Sequence, residues 1–234
     1  MKSRTETLLP TMTEVPFYLS ETYWWAYVHP RAIHLFERQW LVNLILWGNF
    51  RALRDAALDA LELESPGSTL QVACVYGDLT AKLLERAVPG SSVDVIDVLP
   101  LQLNNLARKL PIEAAVNLIR CDSAAMTFNA GSYDRALLFI LLHEQPEAVR
   151  KATLAQTLRV VKPGGRIVIV DYHRSRLFNP LYLPMTGVLR TLEPYALDLW
   201  RHEIMDWFPA DTKVADVRKT TSFGGLYQML VITV

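Results

Sequence analysis

The sequence predicts an α/β domain: a mostly parallel sheet with helices on both faces, closed at the end of the chain by an antiparallel hairpin. Three observations lead there. From Thr69 onward, short β-rich apolar runs alternate with segments of helical periodicity, the rhythm of βαβ units whose sheet is covered on both sides. The first run, Leu70–Val75, feeds a turn at Gly77 and a helix opening at Asp78. That layout places unpaired backbone N–H groups and a positive helix end at a crevice beyond the strand's carboxyl end. The last two runs, Thr212–Thr220 and Leu226–Val234, flank Thr-Ser-Phe-Gly-Gly225 and read as a hairpin.

The elements follow in order. Residues Tyr18 to Phe50 carry a dense aromatic series, Tyr18, Tyr23, Trp24, Trp25, Tyr27, Phe36, Trp40, Trp47 and Phe50, with His29 and His34 among them. These rings suit a helical layer packed on the main domain, a greasy lid over an aromatic or isoprenoid substrate, or an interfacial helix at lipid headgroups. Arg51–Leu63 has helical spacing at Leu53, Ala57, Leu58 and Leu61 and stops at Ser65-Pro-Gly67. Residues 1–63 are thus a helical cap and 64–234 the α/β domain. Within it, Leu79–Ala87 is a helix, Ser92–Val98 a strand, Leu101–Leu110 a helix and Val116–Arg120 a strand. Tyr133–Leu141 is the fourth strand, Pro146–Val160 a helix, and Arg166–Asp171 the fifth strand after the turn Lys162-Pro-Gly-Gly165. A Pro-rich, mostly helical insertion spans Leu177 to Trp207.

Composition removes several classes of function. Of 234 residues about half are hydrophobic, and 24 basic residues balance 24 acidic ones. No basic cluster is dense enough to track a phosphate backbone, so nucleic acid is not an expected partner. Cys74 and Cys121 in an otherwise Cys-poor chain suit free thiols in a reducing compartment. Met1-Lys-Ser-Arg-Thr-Glu-Thr7 lacks the apolar core of a secretory signal. The most apolar stretch, Trp40–Asn49, falls well short of the roughly 18 apolar residues that a spanning helix needs.

The loop after the first strand is unusual. Where nucleotide loops repeat glycine at alternate positions, this one has Ala73 and Val75 and keeps only Gly77, where a Cβ would intrude on ligand space. Asp97 ends the second strand twenty positions past Gly77, where an acid accepts from both ribose hydroxyls, or else caps the turn before Pro100. His143 and Glu144 follow the fourth strand at the same edge. His143 reads as a general base or a metal ligand; Tyr76 reads as a phenol placed to contact substrate or cofactor.

From about Thr69 to Val234 the sequence resembles the class I S-adenosylmethionine-dependent methyltransferases, with their Rossmann-like seven-stranded sheet. Val72-Ala-Cys-Val-Tyr-Gly-Asp-Leu-Thr80 is similar to the cofactor loop of quinone-ring C-methyltransferases, and Leu158-Arg-Val-Val-Lys-Pro-Gly-Gly-Arg-Ile-Val-Ile-Val170 to the stretch leading into their fifth strand. The stripped loop with a Tyr/Trp-rich N-terminal segment resembles more narrowly the RquA family of rhodoquinone biosynthesis proteins. That resemblance implies exchange of a ring methoxy group of ubiquinone for an amino group, with S-adenosylmethionine as nitrogen source and a divalent metal, manganese, as a further cofactor. It implies cofactor contacts at Gln71, Ala73, Val75, Gly77, Asp97 and Asp122, the last toward the adenine amino group or, alternatively, closing an Asx turn. Tyr76 and His143 become candidate catalytic residues. Glu144, Asp171 and His173 then complete a mixed oxygen and nitrogen set suited to manganese, unless Glu144 caps the helix ahead of Pro146 and Asp171 and His173 sit on an exposed loop.

Gln71 and Val75 depart from the superfamily pattern, which has an acid at the first and glycine at the second. The acid holds the cofactor's α-ammonium protonated, and a protonated amine has no lone pair for attack. Gln71 relaxes that hold, unless it is a neutral change in a loop whose backbone still binds cofactor. Two other readings stand beside ring amination: a conventional quinone methyltransferase, and a non-catalytic carrier of a prenylated lipid on the same fold. The expected location is cytoplasmic, peripheral to the inner face of the inner membrane.

Overall fold

A computed structural model describes residues 15–23, 36–176 and 178–234. Trp24, Trp25, Tyr27, His29 and His34 of the aromatic series lie outside them. Three short helices come first: α1 (Phe17–Glu21), α2 (Gln39–Ile45) and α3 (Phe50–Ala60). The α/β portion continues as β1 (Ser68–Val72), α4 (Leu79–Arg86), β2 (Ser92–Asp97), α5 (Pro100–Lys109), β3 (Val116–Arg120), β4 (Tyr133–Phe139), α6 (Glu147–Val160) and β5 (Val161–Tyr172). After α7 (Tyr182–Leu192) and two 3₁₀ turns, Ala196–Trp200 and Ile204–Trp207, the chain ends in β6 (Asp216–Ser222) and β7 (Tyr227–Thr233).

The seven strands lie in the order β3-β2-β1-β4-β5-β7-β6. β1 pairs in parallel with β2 and β4, β2 with β3, and β4 with β5, while β7 runs antiparallel to both β5 and β6. The order reverses at β1, whose neighbours β2 and β4 send their connections to opposite sides and leave a crevice at the carboxyl ends. Strands in such a sheet are buried on both faces, and Leu70, Val72, Val95, Ala136–Leu138 and Ile167–Ile169 have essentially no exposure. α3 and α4 pack together on one side, where α3 buries Leu53, Ala57 and Leu58 in the same core. α6 packs on β5, and α5 on β2 and β3.

Four of the boundaries that differ from the sequence reading have a local reason. β1 stops at Val72 because Ala73 turns into the left-handed region at φ 69°. β4 stops at Phe139 because Ile140 does the same at φ 51°, a conformation that a β-branched residue rarely adopts. β5 begins at Val161, and the Lys162–Gly165 turn sits inside the strand as a break in register between Tyr133↔Val161 and Arg135↔Arg166. Gly165 has to be glycine there, since a Cβ would meet Val161 Cγ1 at 2.6 Å and the Asp134 carbonyl at 2.8 Å. β6 starts four residues later than expected because Thr212 N–H closes a turn onto the Pro209 carbonyl. Every residue of β6 is exposed, and the strand pairs with β7 alone.

Candidate functional site

The crevice at the switch point opens into a cavity of about 650 Å³, bounded by the carboxyl ends of β1, β2 and β4 and roofed by α2 and α7. Its walls are mostly apolar: Phe36, Leu41, Val42, Ile45, Phe139, Met185 and Leu189 among others. Asp97 and Asp122 stand at one end, and His143, Glu144 and Glu193 at another. The indole Nε1 of Trp47, just beyond α2, donates to Sδ of Met185 on α7 at 3.0 Å and ties the two roof helices together.

The loop is built by hydrogen bonds from its own residues. Gln71 is fully buried; its Nε2 donates to the Ala73 carbonyl at 3.0 Å and its Oε1 accepts from Thr80 Oγ1 at 2.9 Å. It braces β1 to α4 across the loop, outside the cavity wall, while Ala73, Val75 and Tyr76 line the cavity. Gly77, at φ 88°, faces Phe50: a Cβ there would sit 3.0 Å from the Phe50 ring. The need for glycine therefore comes from a packed aromatic ring rather than from ligand space. Tyr76 Oη accepts from Gln102 Nε2 at 2.9 Å, and its ring stacks on Phe36 at 5.8 Å. Burial raises the Tyr76 phenol well above its ordinary range, so it stays protonated.

Asp97 is the buried carboxylate of the site. Oδ2 accepts from Cys74 N–H and Oδ1 from Leu99 N–H, both at 2.8 Å, so it joins the cofactor loop to the end of β2. Burial pushes it up to about 6 despite those bonds. The Val98 N–H and the Cys74 thiol bond to the same carboxylate, so a ligand hydroxyl there would bind in exchange for the thiol. Asp122 closes an Asx turn by accepting from Ala124 N–H at 2.8 Å, and it also lines the cavity. These groups fit the ribose and adenine ends of the cofactor that the resemblance implies. Cys74 and Cys121 also face the cavity as free thiols, with burial raising both.

At the other end, Asp171 is fully buried and its carboxylate organises the turn after β4. Oδ2 accepts from the N–H groups of Leu141, Leu142 and His143 at 3.1, 2.7 and 3.3 Å, and Oδ1 from Tyr172 N–H at 2.7 Å. Oδ1 also holds Nδ1 of His143 at 3.0 Å. Burial alone would lower His143, but the charge and hydrogen bond of Asp171, with Glu193 and Glu144 nearby, raise it to about 9. The Asp171 charge and hydrogen bond thus favour the protonated ring, a hydrogen-bond and proton donor, over the neutral base. Arg150, fully buried on α6, fixes the same turn: its guanidinium donates to the carbonyls of Leu142, Gln145 and Tyr195 at 2.9, 2.9 and 3.0 Å and lies 4.2 Å over the Trp207 ring.

The manganese set is not assembled. Asp171 spends both oxygens on the turn and on His143, and His173 faces the Gly225 carbonyl at 2.9 Å through Nδ1. Among the described residues no three His, Cys, Asp or Glu side chains come together as a metal site. Glu144, Asp171 and His173 thus do not fit a shared metal ion. Glu193 was missed from the sequence, since it lies past the insertion helix with no motif around it. It lines the cavity, and burial raises its carboxyl.

Residues 69–165 match the family described as "Methyltransferase domain". The demethylmenaquinone methyltransferase of Thermus thermophilus is 26% identical over 204 residues, covering 83% of this chain and 91% of that one. The 2-phytyl-1,4-naphtoquinone methyltransferase of Nostoc punctiforme is 24% identical over 190 residues, covering 75% and 80%. Among solved structures, an O-methyltransferase family protein from Burkholderia thailandensis superposes with a TM-score of 0.64 at 17% identity, over 88% of this chain and 61% of that one. In sequence its central segment matches the methyltransferase domain, and in backbone the chain has the Rossmann-like class I methyltransferase fold.

Proposed function

We propose that this protein is an enzyme that uses S-adenosylmethionine to modify the ring of a prenylated quinone. The observation that carries the reading is the cavity itself. One end offers buried Asp97 and half-buried Asp122 beside the β1 loop, and the body is apolar and wide enough for a flat ring with part of its tail. The quinone substrates in the names of the relatives support the same substrate class. In the cavity Asp97 takes the ribose, Tyr76 and Phe36 offer ring faces, and the His143 imidazolium donates to a ring oxygen as charge builds on it.

Two observations bear on the group transferred, and they point to different chemistry. The relatives' names support methyl transfer to a ring carbon. Gln71 supports exchange of a ring methoxy group for an amino group, the activity that the RquA resemblance implies. It puts a neutral amide, bonded to the Ala73 carbonyl and the Thr80 hydroxyl behind the cavity wall, at the position where the superfamily has an acid, so no carboxylate there adds to the pull on the cofactor's ammonium. The relatives back methyl transfer more directly, so we take it as the main reading, and amination, which accounts for the edited loop, as the second.

One experiment separates them. Purified protein is incubated with ubiquinone, with a hydroquinone lacking the ring methyl, and with S-adenosylmethionine carrying nitrogen-15 at the α-amino position. A ring product that has lost methoxy and gained nitrogen-15 supports amination. A methylated ring with S-adenosylhomocysteine supports methyl transfer, and absence of cofactor binding by calorimetry leaves the lipid carrier.

A further inference from the structure

The cavity roof is apolar on the outside as well as the inside. α2 reads Gln-Trp-Leu-Val-Asn-Leu-Ile45, with Leu46 and Trp47 following; it buries Val42 and Leu46 yet leaves Trp40 60% and Leu44 62% exposed. Large apolar side chains left exposed side by side mark an apolar interface. On α7, Met185 and Leu189 face the cavity, and Leu183, on the opposite side of the helix, is 78% exposed. Phe178, ahead of α7, is wholly exposed, and Val188 and Leu192 belong both to the exposed surface and to the cavity wall. The greasy surface thus runs from the outside of both helices into the site.

The charge on these two segments has one sign. Residues 38–54 and 172–192 contain no Asp or Glu, whereas the whole chain is balanced. Arg38, Arg51, Arg174, Arg176 and Arg190 are exposed along them. Apolar side chains with tryptophan among them and exposed arginines beside them suit the headgroup region of a negatively charged bilayer.

We propose that the outer faces of α2 and α7 dock on an anionic lipid bilayer, holding the cavity mouth against the membrane. The inference rests on the quinone reading for its purpose: a cavity of about 650 Å³ takes a ring and the first part of a tail, and docking leaves the rest of the tail in lipid. α2 and α7, joined by Trp47 and Met185, form the doorway.

The test uses the full chain and needs neither quinone nor cofactor. Protein is floated with phosphatidylcholine vesicles containing one quarter phosphatidylglycerol, and with pure phosphatidylcholine. The variants are W40S/L183S and R174Q/R176Q, all four residues lying outside the cavity wall. Circular dichroism and calorimetry with S-adenosylmethionine serve as checks on the fold. The protein should float with the anionic vesicles, less with neutral ones and less in high salt, and each double variant should lose at least tenfold in partitioning. Turnover of a short-tailed, water-soluble quinone should stay within twofold of the parent, while turnover of a vesicle-borne long-tailed quinone falls. The proposal is overturned if the parent stays in solution with anionic vesicles, or if W40S/L183S floats as well as the parent. It is equally overturned if sedimentation shows a dimer that W40S/L183S dissociates, because the face then binds a second copy. Flotation without turnover of any quinone sinks the substrate reading and leaves the docking face standing.

Discussion

Nδ1 of His143 lies 3.0 Å from Oδ1 of Asp171, whose other oxygen gathers three consecutive backbone N–H groups of the turn that carries His143. The carboxylate thus builds the turn and sets the charge of the ring it presents to the cavity.

That pairing makes stability depend on pH. The folded-state value of about 9 lies above the roughly 6.5 of an unfolded histidine. The contribution is therefore fully present below pH ~6.5 and is lost as pH rises through about 9. Urea unfolding should give a protein less stable at pH 9.5 than at pH 6.5, by as much as about 3 kcal/mol from this group. His143→Gln should flatten the slope over that window; an unchanged slope in the variant would place its cause elsewhere.

Asp97→Ala and Asp122→Ala should each weaken S-adenosylmethionine binding, a lost charge-assisted hydrogen bond being worth roughly 1.5–3 kcal/mol. Asp97→Ala should also lower stability, because Cys74 and Leu99 lose the acceptor for their N–H groups. Calorimetric titration reads the first effect and denaturation the second. Unchanged affinity in both variants removes the cofactor assignment.

Gln71→Glu restores the superfamily's acid in a place with no room for a free charge. The new carboxylate would face the Ala73 carbonyl, to which Gln71 Nε2 now donates. The variant should be less stable without cofactor, by about 1–3 kcal/mol for the lost donor and buried acceptor. S-adenosylmethionine should recover more of its melting temperature than of the parent's, while turnover at neutral pH slows and the optimum moves upward. A wild-type pH–rate profile with unchanged affinity makes Gln71 a bystander.

Arg150→Leu should cost roughly 3–5 kcal/mol, since three buried carbonyls lose their donor together. Arg150→Lys should rescue little, because one ammonium cannot reproduce the planar fork. Chemical denaturation checks both. A Lys variant as stable as the parent would show that charge alone suffices.

Ala73→Gly should stabilise by up to about 1 kcal/mol, as Ala73 holds a left-handed φ of 69° that costs an L-residue about 1–2 kcal/mol. A loss of stability on this change would mean that the methyl group packs well enough to outweigh its backbone strain.

The alternation of strands and helices and the crevice at the end of β1 were legible because they rest on local signals: alternating periods, a glycine after a strand, an acid at a strand end. Asp97 and Asp122 line the cavity as their spacing suggested. What stayed hidden depends on segments distant in sequence. Arg150 reads as one more charge on an amphipathic helix until Tyr195 and Trp207 of the insertion close over it. Glu144, Asp171 and His173 look like a ligand set by residue type, yet backbone N–H groups and the Gly225 carbonyl take up Asp171 and His173. Nothing in residue type reveals that a carboxylate is already occupied by main chain.

β6 closes the sheet with no buried side and with Asp216, Arg218 and Lys219 along it. A strand held by one ladder and no apolar packing opens at low energy, so its amide protons should exchange with solvent long before those of β1 or β4. The same charges make its outer rim a poor template for a strand from another molecule. The end of the sheet is thus loosely held and yet guarded, able to fray without seeding fibrils.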